Sequence, residues 1–509
     1  MSSATSAPQG TQAIDAHSER VHRRRWLTLA VLSLSLLVII TDTTIVNVAI
    51  PTLAGKLHAG PSALEWIVDA YTLAFATLLL PAGALGDRFG RQRALAAGMA
   101  VFGIASLGAA LSTSATELIC FRAVMGAGAA LVSPATMALL TTVFTDRTER
   151  AKAIGIWSSA SGLGVAIGPT AGGWLLDHFA WGSIFLVNVP IVVVALISGR
   201  FLIPVSKAPQ PRRFDPAGIG LGILACAGLT YTVIEAGSAG WTCAGTLIRA
   251  ALSVILITGF IGWEQHTEHP MVPLAIFRNP RFSAAAGAIM VLFFGLAGMT
   301  FILTQVYQFV LGYSPLGAGL LSLPSALAMI VGPLLGTRLA ARFGPRTVIT
   351  AGLLLAAAGL GYFITSSGGS SYPHYLITGV PTALGIGLTM GNANATIMST
   401  LAPAQVGVGA AINNTTRTLG TVLGVAVIGS ITAASYTSRL AHQPKLPEAA
   451  KQSIGAAAAL TRRIPAADAN AFHTTIASAF VHSAAVGLAI PACAVLLTAI
   501  AIYRYLPRH

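Results

Sequence analysis

Apolar residues run along this chain in long blocks, separated by short stretches rich in arginine, glycine and proline. A bilayer core of about 30 Å is crossed by roughly 20 apolar residues in helical form. By that ruler the sequence predicts spans near 26–50, 63–85, 92–112, 116–142, 150–173, 181–203, 216–237, 244–263, 282–311, 315–340, 346–366, 373–400, 405–434 and 474–505. The count is about fourteen, with soft boundaries. Residues 1–25 are expected to form a disordered polar tail, and 26–203 a six-helix bundle. Residues 204–281 hold a basic, proline-rich linker (Pro204 to Asp215) and two additional helices. Residues 282–509 form a second six-helix bundle, with a segment near 435–473 outside the membrane. The expected fold class is an all-α integral membrane protein.

Composition supports this pattern. Charged residues are 9% of the 509 and apolar residues 54%, whereas soluble proteins carry roughly 25% charged residues. That little charge does not coat a soluble core of this size, and the mean hydropathy is +0.75. The net charge of +14 does not indicate nucleic acid, because the basic residues form no stripe with interleaved aromatics. They sit instead between apolar blocks on alternate sides: Arg88, Arg91 and Arg93; Arg147, Arg150 and Lys152; Lys207, Arg212 and Arg213; Arg278 and Arg281; Arg338, Arg342 and Arg346. This bias places those loops, and both termini, in the cytoplasm of a multi-pass protein of the cytoplasmic membrane. The apolar run after Arg23–Arg25 is longer than a signal-peptide core, so the first helix is expected to be retained.

Other chemistries lack their signatures. The four cysteines form no CxxC pair, so neither a zinc site nor a disulfide framework is expected. No GxxxxGK[ST] loop is present for ATP, and no HExxH or GxSxG motif indicates an enzyme. No cofactor or metal is expected. The expected partners are a small-molecule substrate, protons and the lipid bilayer.

An internal echo is visible. Asp87-Arg88-Phe89-Gly90-Arg91 ends the second span, and Ala341-Arg342-Phe343-Gly344-Pro345-Arg346 ends the tenth, roughly 250 residues later. Such repeats mark transporters whose two related halves face one central site. Four further stretches appear in order: TDTTIVNVAIP (Thr41–Pro51), EWIVDAYTL (Glu65–Leu73) leading into GALGDRFGRQR (Gly83–Arg93), RAVMGAGAA (Arg122–Ala130) and GLGVAIGPTAGG (Gly162–Gly173). Together they resemble the major facilitator superfamily, specifically its fourteen-helix drug:proton antiporter branch, over essentially residues 26–505. The resemblance implies alternating access powered by the proton gradient, without ATP. It makes Gly83, Asp87, Arg88, Gly90 and Arg91 a conformational latch for the state closed towards the cytoplasm. It makes Gly164, Gly168, Pro169, Gly172 and Gly173 the antiporter element of the fifth span.

Charges inside apolar spans are functional candidates, since each costs about 2.5–3.5 kcal/mol to insert. At 1.5 Å per residue, Asp42 lies about 12 Å from the outer end of its span, Asp69 about 10 Å and Arg122 about 9 Å. Similar depth suits a coupled acid–base cluster in which Asp42 and Asp69 carry the proton and contact substrate while Arg122 tunes them. A static buried ion pair is the alternative. Between Glu268 and Glu448 there is no Asp or Glu, so proton coupling is assigned to the N-terminal half. In the other half, Arg417 stands among Asn413, Asn414, Thr415 and Thr418, facing an anionic or carbonyl-bearing part of the substrate or serving helix packing. Asn47, Gln305 and Asn392 are further candidates for lining the cavity. The function these features predict is export of small, lipophilic drugs or antibiotics. A facilitator-fold exporter of one endogenous metabolite is the alternative reading.

Overall fold

The computed structural model describes residues 9–204, 215–267, 270, 274–400, 406–443, 446–461 and 466–505. The linker expected at Pro204 to Asp215 lies almost wholly outside the described residues.

The described residues are helical almost throughout. The first half contains α1 (Gln9–Lys56), α2 (Pro61–Phe89), α3 (Arg91–Ala110), α4 (Ala115–Val143), α5 (Arg147–His178), α6 (Ser183–Leu186) and α7 (Asn188–Leu202). Two helices follow, α8 (Pro216–Ala239) and α9 (Ala244–His266). The second half contains α10 (Pro280–Gln305), α11 (Pro315–Phe343), α12 (Pro345–Tyr362), α13 (Tyr372–Ser399) and α14 (Val406–Ala441). Two short helices, α15 (Glu448–Gln452) and α16 (Ile454–Thr461), precede the last, α17 (Ala466–Tyr505). Local chemistry sets many of the starts. Pro61, Pro216, Pro280, Pro315 and Pro345 occupy first-turn positions, where the missing N–H goes unneeded. Ser114, Asp215 and Ser314 accept hydrogen bonds from the exposed first-turn amides of α4, α8 and α11.

Twelve helical stretches are long and apolar enough to cross a membrane among the described residues. Of the fourteen expected spans, the two not among them are α5 and α13. Both exist as helices, of 32 and 28 residues, but glycine, serine, threonine and asparagine dilute their apolar content. α1 begins at Gln9, within the segment 1–25 expected to be a disordered tail. Its polar first turns carry the helix beyond the apolar block, and Arg25 pairs with Glu149 of α5 at 2.9 Å.

The two halves repeat each other. α1 packs along α5, and α2 and α3 along α4; correspondingly α10 packs along α14, and α11 and α12 along α13. The echoed loops share a shape as well. Gly90 joins α2 to α3 with φ 111°, and Gly344 joins α11 to α12 with φ 80°, a region that glycine enters without a steric penalty. In each loop the arginine lies over the neighbouring ring, Arg88 on Phe89 at 5.7 Å and Arg342 on Phe343 at 5.4 Å. α8 seats against α2 and α14, and α9 packs on α8. Only 11% of the apolar window of α9 is buried, so its remaining faces suit lipid as solvent.

One end of the molecule carries the arginines of these loops and may be called the arginine-rich end. At the opposite end the two halves meet. Asp177 of α5 accepts from the Ser314 hydroxyl at 3.0 Å, and Gln308 donates to the Val48 carbonyl at 2.8 Å. α15 and α16 close over this end: Tyr436 donates to the Ala450 carbonyl at 3.1 Å, and Gly455 lies against Ala54 and Phe309. Thus the segment expected near 435–473 contains ordered helix and contributes to the seal. All hydrogen bonds recorded between the first and second halves among the described residues lie at this end.

Candidate functional site

The three intramembrane charges of the first half do not form one cluster. Asp42 on α1 and Arg122 on α4 make an ion pair of 2.5 Å, with the two side chains 0% and 1% exposed. Each is further engaged. The Arg122 Nε donates to the Ile67 carbonyl of α2 at 3.0 Å, and its guanidinium lies 4.4 Å over the Tyr71 ring. The second Asp42 oxygen accepts from the Asn188 amide of α7 at 2.9 Å, and that amide also reaches Ser106 of α3. Five helices therefore converge on one charge pair. An arrangement with this many directional contacts compensates desolvation that an isolated pair would not.

Asp69 is different. Two residues before Tyr71 on α2, it is 0% exposed, and neither carboxyl oxygen has a hydrogen-bond partner. An ionised carboxylate enclosed this way is far costlier than a neutral carboxyl. Asp69 is thus a buried carboxyl without a hydrogen-bond partner, whereas the Asp42 charge is matched by Arg122 in this structure.

A third carboxyl, not anticipated as a site, stands one helical turn before Asp69. Glu65 is 2% exposed, and its Oε2 is buried without a partner. The spacing i, i+4 puts it on the same face of α2, a signal present in EWIVDAYTL. Asn188 was also missed; its mark was a lone amide inside an apolar block.

The glycines expected to form an antiporter element line a seam in α5. Gly164 lies against Ile40, Gly168 against Thr44 and Gly172 against Ile45, all on α1. The Thr44 hydroxyl donates to the Gly164 carbonyl at 3.3 Å. Gly173 faces the other half: a Cβ there would stand 2.5 Å from Leu316 Cα and 2.6 Å from the Pro315 carbonyl oxygen of α11. The Pro169 carbonyl meets Gly319 of α11. One side of α5 therefore grips α1 and the other closes the end opposite the arginines.

At the arginine-rich end, Arg91 pairs with Asp87 at 3.0 Å and donates to Thr142 of α4 at 3.0 Å. Gly83 lies 3.8 Å from Pro134 by its would-be Cβ, also on α4. The described contacts of the latch loop are therefore within the first half.

Among the polar candidates of the second half, Arg417 has its guanidinium 5.4 Å over the Phe293 ring of α10. No hydrogen bond from that guanidinium is recorded among the described residues. Asn413 donates to Asn394 of α13 at 2.7 Å. Asn414 lies on α14, its side chain outside the described residues. Asn392 donates to its own helix at Leu388, and Asn47 does likewise at Thr43. Gln305 donates to the Phe301 carbonyl and lines a small cavity that Glu65 also lines. These last three serve local helix hydrogen bonds in this conformation.

Comparison with known proteins agrees with this architecture. The Mycolicibacterium smegmatis protein "Multidrug efflux pump LfrA" is 35% identical over 91% of this chain and 92% of its own length. The Streptomyces glaucescens "Tetracenomycin C resistance and export protein" is 36% identical over 66% of this chain and 63% of its own. In fold, the chain resembles a bacterial homologue of the human lysosomal transporter Spinster in an inward-facing, unoccupied conformation, with TM-score 0.66 and 18% identity over 95% of this chain and 98% of that one. Residues 32–425 match the Major Facilitator Superfamily, and with the repeated halves and the ordered motifs on the page, the chain belongs to that superfamily.

Proposed function

We propose that this protein exports small lipophilic drugs or antibiotics across the cytoplasmic membrane in exchange for protons. The arginine-rich end then faces the cytoplasm, both termini lie there, and all fourteen long helical spans cross the bilayer, including α5 and α13. The conformation is one closed to the outside. The names of the similar proteins, a multidrug pump and an antibiotic exporter, support the substrate class.

The observation that carries the coupling is the unpartnered, fully buried Asp69 carboxyl, in a half whose other fully buried aspartate, Asp42, is already matched by Arg122. In the outside-closed state Asp69 holds a proton taken from the exterior. Opening towards the cytoplasm hydrates the carboxyl and releases the proton as substrate enters. Reorientation with substrate, release outside and reprotonation complete the cycle. The proton gradient is the energy source, and no ATP is required. Arg417 on its Phe293 platform offers a cation–π and hydrogen-bonding surface to carbonyl-bearing or anionic groups of a substrate.

The test is efflux of a lipophilic dye from cells with and without a proton uncoupler, alongside a panel of neutral and anionic antibiotics. Uncoupler-sensitive export of several unrelated compounds is the expected result. Export of one compound alone would favour the dedicated-exporter reading, and export indifferent to uncoupler would overturn proton coupling.

A further inference from the structure

Resting on the antiport reading above, we propose that Glu65 is a second proton-carrying carboxyl, one that closes the outer gate only when protonated. Glu65 is on α2 of the first half, five residues into the helix, and its carboxyl reaches across to α14 of the second. A Cβ on Gly429 would lie 2.6 Å from Glu65 Oε1 and 2.8 Å from its Cδ, so the glycine leaves the space that the carboxyl occupies. The remaining oxygen, Oε2, is buried without a partner. Beside it is a cavity of about 40 Å³, lined by Glu65, Gln305, Phe309, Thr432, Tyr436 and Ser453 among others. That volume admits a water or a few, enough to hand on a proton but not to solvate a carboxylate.

The surrounding charges do not neutralise Glu65. On its own helix the next acid is Asp69. On α8, half-buried Glu235 accepts from the Ser62 hydroxyl at 3.1 Å, one turn before Glu65. From α14, the nearest titratable group is Tyr436, whose hydroxyl donates to Ala450. On α15, Lys451 is held by Glu448 at 2.7 Å. On α4, Arg122 is spent on Asp42. Among these described residues, two acids and no uncommitted cation thus face the carboxyl, and burial of its charge between the halves would be opposed by desolvation and by like charge together. Exposure falls from Glu235 through Glu65 to Asp69, an inward path for a proton supplied from outside, with α8 contributing the outermost acid. The carboxyl gains a proton as the gate closes, so closure is favoured as pH falls and lost as pH rises.

The experiment uses the full chain in lipid nanodiscs, with its four native cysteines replaced by serine and spin labels at Phe179→Cys and Tyr313→Cys. These exposed positions flank the Asp177–Ser314 contact across the outer gate. The closed-to-open ratio is measured against pH. Each carboxyl that must be neutral for closure contributes up to about tenfold per pH unit, so the wild-type response should exceed what one group can supply. Glu65→Gln should keep the gate closed at high pH and lower the slope by up to one power of ten per unit. Asp69→Asn should leave the Glu65 part of the slope. Gly429→Ala should shift the gate open at every pH by invading the carboxyl's seat, and adding Glu65→Ala should restore closure. A Glu65→Gln slope equal to wild type, or no rescue of Gly429→Ala, would overturn the role of Glu65. If Asp69→Asn flattens the curve while Glu65→Gln does not, proton-coupled export stands and this inference alone fails. A wild-type gate indifferent to pH would overturn both.

Discussion

Removing one member of the Asp42–Arg122 pair separates a scaffold from a working acid. Arg122→Leu deletes the 2.5 Å ion pair, the hydrogen bond to Ile67 and the stacking on Tyr71, all in a site about 1% exposed. Asp42 is then left buried, held only by the Asn188 amide. Stranding one partner of a buried pair costs about 3–5 kcal/mol, or two to three and a half powers of ten in the folding equilibrium at about 1.4 kcal/mol each. Removing both charges, in Asp42→Asn with Arg122→Leu, eliminates the stranded charge and should recover most of that loss, because apolar or neutral replacements of buried pairs are often nearly neutral. The assay is thermal unfolding of the solubilised full chain for wild type, both single variants and the double, followed by uncoupler-sensitive efflux of those that fold. Large single losses, a much smaller double loss and retained proton-driven export in the double variant are expected. Single variants as stable as wild type, with export abolished, would refute the reasoning and return Asp42 to the proton-carrying role.

Other consequences concern the seams and the cavity. Gly173→Val places side-chain atoms where α11 backbone now lies 2.5 Å from the Cβ position; it should insert normally yet stop transport with the outer end held open, seen as faster thiol labelling of a cysteine placed at Ser314. Labelling at the wild-type rate would contradict it. Arg417→Gln should weaken export of anionic or carbonyl-rich compounds by about tenfold, the effect of losing roughly 1.4 kcal/mol, while sparing simple lipophilic cations; equal loss for all would assign Arg417 to packing. Asp87→Asn breaks an ion pair whose side chains are 21% and 30% exposed, so stability should change by less than about 1 kcal/mol. Its transport rate should nevertheless fall, because the latch would act in the other conformation, and unchanged turnover would remove Asp87 from the mechanism.

Much of the fold was legible because lipid imposes a length on every span. Block length located a long helix at each expected span, though α1 starts well before residue 26, and the repeated Arg-Phe-Gly loops exposed the two halves. The count was less legible: α5 and α13 owe their place to small residues that pack against neighbours, which dilutes the very signal that marks a span. The site was legible in its residues but not its grouping. Depth along separate helices put Asp42, Asp69 and Arg122 at one level, yet depth says nothing about helix rotation. Rotation turns Asp42 towards Asn188 and Ser106 inside the bundle and leaves Asp69 on another face. Glu65 escaped notice because it stands near a helix start, where an acid is ordinary; its significance comes from Gly429, more than three hundred residues away in the chain. The cap formed by α15 and α16 escaped for a related reason, since neither helix is long enough to announce itself by periodicity.

The most direct test of the central claim is proton–substrate exchange in proteoliposomes, comparing wild type with Asp69→Asn. The account predicts that an imposed proton gradient drives substrate uphill in wild type, and that Asp69→Asn folds and binds substrate but only equilibrates it. Uphill transport by Asp69→Asn at the wild-type level would contradict the assignment of coupling to that carboxyl.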